Sequence, residues 1–119
     1  MMVLLVMYVG TGLLLSAISI PLLLRRIHPN PIYGFRVKQT LEDPEVWYDV
    51  NAYAGNGLLV DGLITVIAAL ALALVPGISL DRYALSVMTL AFLAMGISLV
   101  ASFRYLGRIV GERANSMKR

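Results

Sequence analysis

Three long runs of apolar residues, 2–24, 57–76 and 83–104, constrain this chain more than any other feature of its sequence. A helix rises about 1.5 Å per residue, so about 20 apolar residues cross a hydrocarbon core about 30 Å thick. Each run is long enough to do so. The sequence therefore predicts an all-α membrane protein with three transmembrane helices, in a single membrane domain over residues 1–119.

The composition agrees with a membrane location. The chain is 59% hydrophobic and 14% charged, whereas about 25% of the residues in a soluble domain are charged. Its net charge of +3 does not indicate a nucleic-acid surface, because the basic residues lie at the ends of the apolar runs. We therefore expect the lipid bilayer as a partner and no direct contact with nucleic acid. Cysteine is absent, which excludes disulfides, thiolate metal sites and cysteine nucleophiles.

The basic side chains are distributed unevenly among the segments outside the predicted helices. Nine of the ten lie between the first two helices, or at and beyond the end of the third: Arg25, Arg26, Arg36, Lys38, Arg104, Arg108, Arg113, Lys118 and Arg119. Three crossings place these two regions on the same side, and basic residues concentrate on the cytoplasmic side of membranes. We expect a multi-pass protein of the cell membrane with its N-terminus outside and a cytoplasmic tail, 105–119.

The segment 25–55, between the first two predicted helices, contains signals for local structure. Asp43 followed by Pro44 is a helix start, because aspartate caps free N–H groups and proline fits the first helical position. Apolar and aromatic residues then recur at helical spacing. We expect a short interfacial helix that ends near Gly55 and Gly57, before the second transmembrane helix begins. A continuous helix from Pro44 to Pro76 is the alternative.

A polar and aromatic stretch, 29–40, interrupts the apolar sequence, and its prolines exclude a long helix. We expect this stretch to be a folded segment that turns back against the membrane surface. Gly34 would adopt a backbone geometry that a side chain hinders. The guanidinium of Arg36 would donate to carbonyl oxygens or to a carboxylate, or alternatively contact lipid phosphate.

Asp61 is the one acidic residue inside an apolar run. An acid at the centre of a membrane helix costs about 2.5–3.5 kcal/mol on insertion scales, so Asp61 should face protein or water and have a partner. Arg104 lies at a similar predicted depth and is a candidate partner, and Arg36 is the alternative. Such a pair would join the loop to the helices, either as a structural ion pair or as part of a binding site.

Several residues of the loop resemble a known signature: Pro29-Asn30, Tyr33-Gly34-Phe35-Arg36, Thr40, Trp47, Asn51 and Gly55. In this spacing, between two transmembrane helices, they are similar to the SdpI immunity-protein family of bacterial membrane proteins. The resemblance covers roughly residues 29–62. One departure is Val37, where the family usually has a threonine. The better-known member of the family is longer, with additional transmembrane helices.

The resemblance implies a function in binding. It suggests protection of a producing cell from a secreted, membrane-active peptide toxin and, in one arrangement, sequestration of a transcriptional repressor at the membrane. With the residues singled out above, it gives these candidate binding residues: Asn30, Tyr33, Gly34, Phe35, Arg36, Thr40, Trp47, Asn51, Asp61 and Arg104.

The polar residues of the loop do not indicate catalysis. The sole histidine, His28, has no second histidine to pair with as a metal ligand, and no nucleophile and base are paired in the sequence. We expect no enzyme activity, metal or cofactor. Two other functions remain open: an accessory subunit of a larger membrane complex, and a lipid or small-solute enzyme or transporter formed by a homo-oligomer.

Overall fold

The computed structural model describes residues 1–30 and 32–117, and these form four helices without any strand. The helices are α1 (Met2–Leu23), α2 (Lys38–Glu42), α3 (Pro44–Ala73) and α4 (Leu80–Met117). Pro31 of the loop, and Lys118 and Arg119 of the basic tail, lie outside the described residues. The predicted all-α fold class is confirmed.

The helices α1, α3 and α4 are each long and apolar enough to cross a membrane. A bilayer offers no water to satisfy backbone N–H and C=O groups, so a continuous helix is the structure that such apolar runs adopt in lipid. The chain is therefore a multi-pass membrane protein. In the described residues α3 lies between the other two, since it packs against both α1 and α4.

Helix α3 shows the predicted start but not the predicted break. The Asp43 side chain accepts a hydrogen bond from the Glu45 N–H at 3.0 Å, with Pro44 in the first turn. The helix then continues through Gly55 and Gly57 to Ala73. The expectation of a separate interfacial helix is therefore wrong for this segment, and the continuous alternative is correct. The short helix in the loop is instead α2.

The two glycines are explained by packing, because their missing side chains let neighbouring helices approach. A Cβ on Gly55 would lie 3.0 Å from Leu22 Cβ in α1, and a Cβ on Gly57 would lie 3.1 Å from Ser98 Oγ in α4. Further along, a Cβ on Gly12 would lie 2.6 Å from the Gly62 carbonyl oxygen. Small residues at such crossings are typical of membrane helices.

Helix α4 is longer than predicted. The expected tail is helical as far as Met117, and the 38 residues of α4 correspond to about 57 Å, well beyond a hydrocarbon core of about 30 Å. Near this end Leu106 and Ile109 are buried against Val46 and Val50 at the start of α3. The C-terminal part of α4 therefore supports the first turns of α3.

Candidate functional site

The loop between α1 and α2 begins with a turn formed around Asn30. Its Oδ1 accepts hydrogen bonds from the N–H groups of Ile32 and Tyr33 at 2.9 and 2.6 Å. Its Nδ2 donates to the carbonyl oxygen of His28 at 2.7 Å. Asparagine side chains commonly form this kind of turn by bonding nearby backbone groups. Asn30 thus sets the direction in which the chain leaves α1.

The next residues attach the loop to α1 and α3. The Tyr33 hydroxyl donates to the carbonyl oxygen of Ile18 in α1, and burial raises the pKa of the Tyr33 phenol. Gly34 follows with φ of 112°, a conformation that disfavours any side chain. A Cβ there would lie 2.7 Å from Asn51 Oδ1 and 3.1 Å from the Trp47 ring. Gly34 therefore satisfies both a conformational and a steric requirement, and the prediction of a folded segment is confirmed for its described residues.

Asn51 and Trp47 of α3 fix the loop through hydrogen bonds to its backbone. Asn51 Oδ1 accepts from the Phe35 N–H at 2.5 Å, and its Nδ2 donates to the Trp47 carbonyl at 2.9 Å. Trp47 Nε1 donates to the Ile27 carbonyl at 2.8 Å. Both side chains are buried. A buried polar group without a partner is costly, so these bonds make the loop conformation specific.

Thr40 completes the loop at α2. It is fully buried, and its Oγ1 accepts from the Val37 N–H at 2.9 Å. The hydroxyl also lies 2.9 Å from the Phe35 carbonyl and 2.8 Å from that of Val37, either of which can take its single proton. Val37, the departure from the family pattern, precedes α2 and contributes no side-chain cap.

Six of the candidate binding residues therefore use their hydrogen-bonding groups or their small size inside the chain: Asn30, Tyr33, Thr40, Trp47 and Asn51 through hydrogen bonds, and Gly34 through its missing side chain. The structure brings these residues together. Their contacts shape the loop and position it over the helices. The loop covers a surface formed by the three long helices.

That surface is a groove of about 300 Å³ between the loop and the three long helices, which we name the Asp61 groove. Ile18, Leu58 and Met95 form part of its apolar wall, and Phe35 of the loop lines it as well. Phe35 also contacts the ring of Phe103 in α4, with centroids 5.0 Å apart. The groove is thus closed on the loop side by an aromatic residue whose position depends on Asn51.

Asp61 is the only acidic residue among those that line the groove. It is 3% exposed, and its Oδ1 accepts a hydrogen bond from Ser98 Oγ of α4 at 2.8 Å. Ser102, one turn further along α4, also lines the groove and donates to the Ser98 carbonyl at 2.9 Å. The carboxyl group of Asp61 and the hydroxyls of Ser98, Ser102 and Tyr33 are therefore the polar side-chain groups of a mostly apolar groove.

The partner of Asp61 in the described residues is Ser98 and not Arg104. No ion pair in the described part of the chain joins Asp61 to Arg104, while the alternative pair with Arg36 stays a prediction. Arg104 lies two residues after Ser102, a rotation of about 200° around α4, so its side chain lines a different groove on the outer side of the helix. The estimate from depth alone neglected this rotation, and the expected pair with Arg104 is wrong.

Sequence reasoning missed Ser98 and Ser102 as site residues. Their spacing of four residues within an apolar run was the available signal, because it places two hydroxyls on one helix face. It also missed Arg113, which donates to Asp43 Oδ2 at 3.0 Å and to Glu45. These bonds tie the end of α4 to the start of α3 on the side of the membrane where the loop lies.

Other titratable residues of the loop region bond to residues at the start of α3. His28 Nδ1 lies 2.7 Å from the Tyr48 hydroxyl, and Arg25 pairs with Asp49 at 2.6 Å. Over residues 1–30 and 32–117, no group of three or more carboxylate or histidine side chains is arranged to hold a metal ion. The Asp61 groove is accordingly the best candidate for a binding site.

Comparison with known proteins identifies the family. The model of the SdpI/YfhL protein family matches residues 26–102, which include the loop, α2, α3 and the apolar part of α4. No curated protein and no solved structure matches the chain. The family match covers more than half of the sequence and contains every residue of the loop motif from Asn30 to Asn51. The chain belongs to the SdpI/YfhL protein family.

Proposed function

We propose that this protein is a non-catalytic membrane protein of the immunity type, which binds a membrane-active peptide in the Asp61 groove. The observation that carries the proposal is the position of a buried carboxyl group, hydrogen-bonded to Ser98, in a groove with apolar walls. An apolar peptide with a basic or amide group could bury its apolar surface there and donate to Asp61.

The size of the groove limits what it can hold. Its volume of about 300 Å³ is at the low end of the range of about 300–1,000 Å³ for small-molecule sites. One or two side chains of a peptide fill such a space, while the rest of the peptide stays in the lipid. This favours recognition of a segment of a membrane-embedded peptide over enclosure of a whole substrate, and it supports a binding role over a catalytic one.

The loop has a positioning role in this proposal. Phe35 lines the groove, and its backbone N–H is held by Asn51, which lies in α3 together with Asp61. The family motif would then preserve the shape of the groove, while the residues that line it on α1 and α4 determine which peptide fits. The proposal also includes the orientation inferred from the basic residues, with the N-terminus outside and the loop and tail in the cytoplasm.

A survival assay tests the function. Bacteria sensitive to membrane-active peptides are challenged with such peptides while they express the parent chain, Asp61→Asn, Asp61→Leu or the control Asp81→Asn. Asp81 is exposed in the first turn of α4. We expect protection by the parent and the control, partial loss with Asp61→Asn and complete loss with Asp61→Leu, at equal membrane levels of each protein. Full protection by Asp61→Leu would refute the assigned site.

Orientation is tested separately with single cysteines, since the chain has none of its own. Ser79 and Ser116 are both exposed, and they lie before the start and near the end of α4. Ser79→Cys should be labelled by an impermeant reagent in intact cells, and Ser116→Cys only after the membrane is opened. Labelling of both positions in intact cells would overturn the three-helix topology.

A further inference from the structure

We propose that the outer face of α4 carries a binding site for one anionic phospholipid of the surrounding bilayer. The site is a second groove, of about 810 Å³, which contains Arg104 and Arg108 and which we name the Arg104 groove. It is separate from the Asp61 groove, and the proposal does not rest on the proposed function.

The Arg104 groove is divided along the helix into a charged end and an apolar end. Arg104 and Arg108 occupy one end, and Phe92, Ile97 and Val100 lie towards the other. No acidic residue lines it. From Arg104 to Phe92 the helix covers about 18 Å, which is close to one leaflet of a hydrocarbon core about 30 Å thick. Charge and apolar surface are therefore separated along the helix as they are in a phospholipid.

The charged end offers two kinds of contact to a phosphate. Within the described residues Arg104 forms no ion pair, and Arg108 forms one, with the exposed Glu112 at 3.9 Å. The Arg108 guanidinium also lies 5.5 Å from the centroid of the Tyr105 ring, which limits its freedom. Guanidinium groups bind phosphate oxygens through two parallel hydrogen bonds. Both arginines are thus available at the end of the groove where a headgroup would lie.

The groove has room for an acyl chain at Gly96, which has no side chain to fill it. A Cβ on Gly96 would meet no atom within 4 Å, so space is open beside the helix at that position. At the charged end the rings of Tyr53 and Tyr105 are stacked, with centroids 4.2 Å apart and an interplanar angle of 6°. Tyrosine rings are common at the level of lipid headgroups. This pair forms a rigid border between the headgroup region and the apolar part of the groove.

Native mass spectrometry of the purified full chain tests the proposal. The protein in mild detergent is mixed with equal amounts of a phosphatidylglycerol and a phosphatidylcholine that carry the same acyl chains. We expect the parent to retain one phosphatidylglycerol in preference to phosphatidylcholine. Each arginine near an anionic leaflet should contribute about fivefold to that preference, so Arg104→Ala/Arg108→Ala should lower it about 25-fold, and Arg104→Lys/Arg108→Lys should retain most of it.

Two further variants separate this site from general charge effects. Arg26→Ala/Arg82→Ala removes the same charge from two exposed positions outside the groove and should keep the preference. Gly96→Leu fills the groove without a change in charge and should release the lipid, while thermal stability stays at the parent level. Equal retention of both lipids by the parent, an equal loss in the control pair, or an assembly of two chains without lipid would each overturn the proposal.

Discussion

Replacement of Gly34 by alanine tests whether the loop motif controls the shape of the Asp61 groove. Gly34 has φ of 112°, and a side chain in such a conformation costs about 1–3 kcal/mol. A Cβ there would also lie 2.7 Å from Asn51 Oδ1 and 3.1 Å from the Trp47 ring, and crowding of this kind costs about 1–3 kcal/mol more. We expect Gly34→Ala to lower the free energy of unfolding by about 2–6 kcal/mol.

Gly77→Ala is the matched control, because it separates backbone strain from crowding. Gly77 has φ of 73°, and a Cβ there would meet no atom within 4 Å. The backbone term alone should cost about 1–2 kcal/mol. Alanine also restricts the unfolded chain in both variants, and this effect cancels when the two are compared. The difference between them therefore measures the contact of Gly34 with Asn51 and Trp47, together with the extra backbone strain of φ 112° over φ 73°.

Trp47 provides the assay, since it is the only tryptophan and is fully buried. Its fluorescence follows denaturant unfolding in detergent micelles, and its emission maximum reports whether water reaches the indole. We expect a red shift in folded Gly34→Ala, as the loop moves away from α3, and none in Gly77→Ala. If Gly34→Ala costs no more than Gly77→Ala, or leaves the emission of Trp47 unchanged, the inferred role of the motif is refuted.

Three further predictions use the same unfolding assay. Gly62→Ala should lower the free energy of unfolding by about 1–3 kcal/mol, because its Cβ would lie 2.5 Å from a carbonyl oxygen of α1. Gly10→Ala should not destabilise the fold, because a Cβ there would meet no atom within 4 Å. Equal losses of stability in the two variants would contradict this packing. Burial raises the pKa of the Tyr33 phenol, so the stability contributed by the neutral phenol is fully present below the unfolded pKa of about 10 and is lost as pH rises through the higher folded pKa. The parent should therefore lose more stability than Tyr33→Phe above about pH 10. Parallel plots of stability against pH for the two proteins would refute this. Arg113→Ala should lower the unfolding midpoint at low salt but have little effect at about 1 M salt, because its ion pairs with two carboxylates of the α3 start are partly exposed; a loss independent of salt would show that Arg113 acts through packing instead.

Much of the fold could be predicted from local properties of the sequence. Hydropathy identified the three spanning helices, because an apolar run in lipid must satisfy its own backbone groups. The start of α3 was also predictable, since Asp43 and Pro44 act on the first turn alone. Within the loop, Gly34 could be singled out because the turn needs a positive φ there, which glycine adopts more readily than other residues.

The partners of individual side chains were decided only by the tertiary structure. Gly55 and Gly57 suggested a break, yet in the folded chain their missing side chains admit α1 and α4. Asp61 bonds to Ser98, 37 residues away, because the rotation of α4 turns that face towards α3. Contacts over such separations depend on how two helices are rotated and shifted against each other, and neither the hydropathy nor the backbone preference of a single segment contains that information.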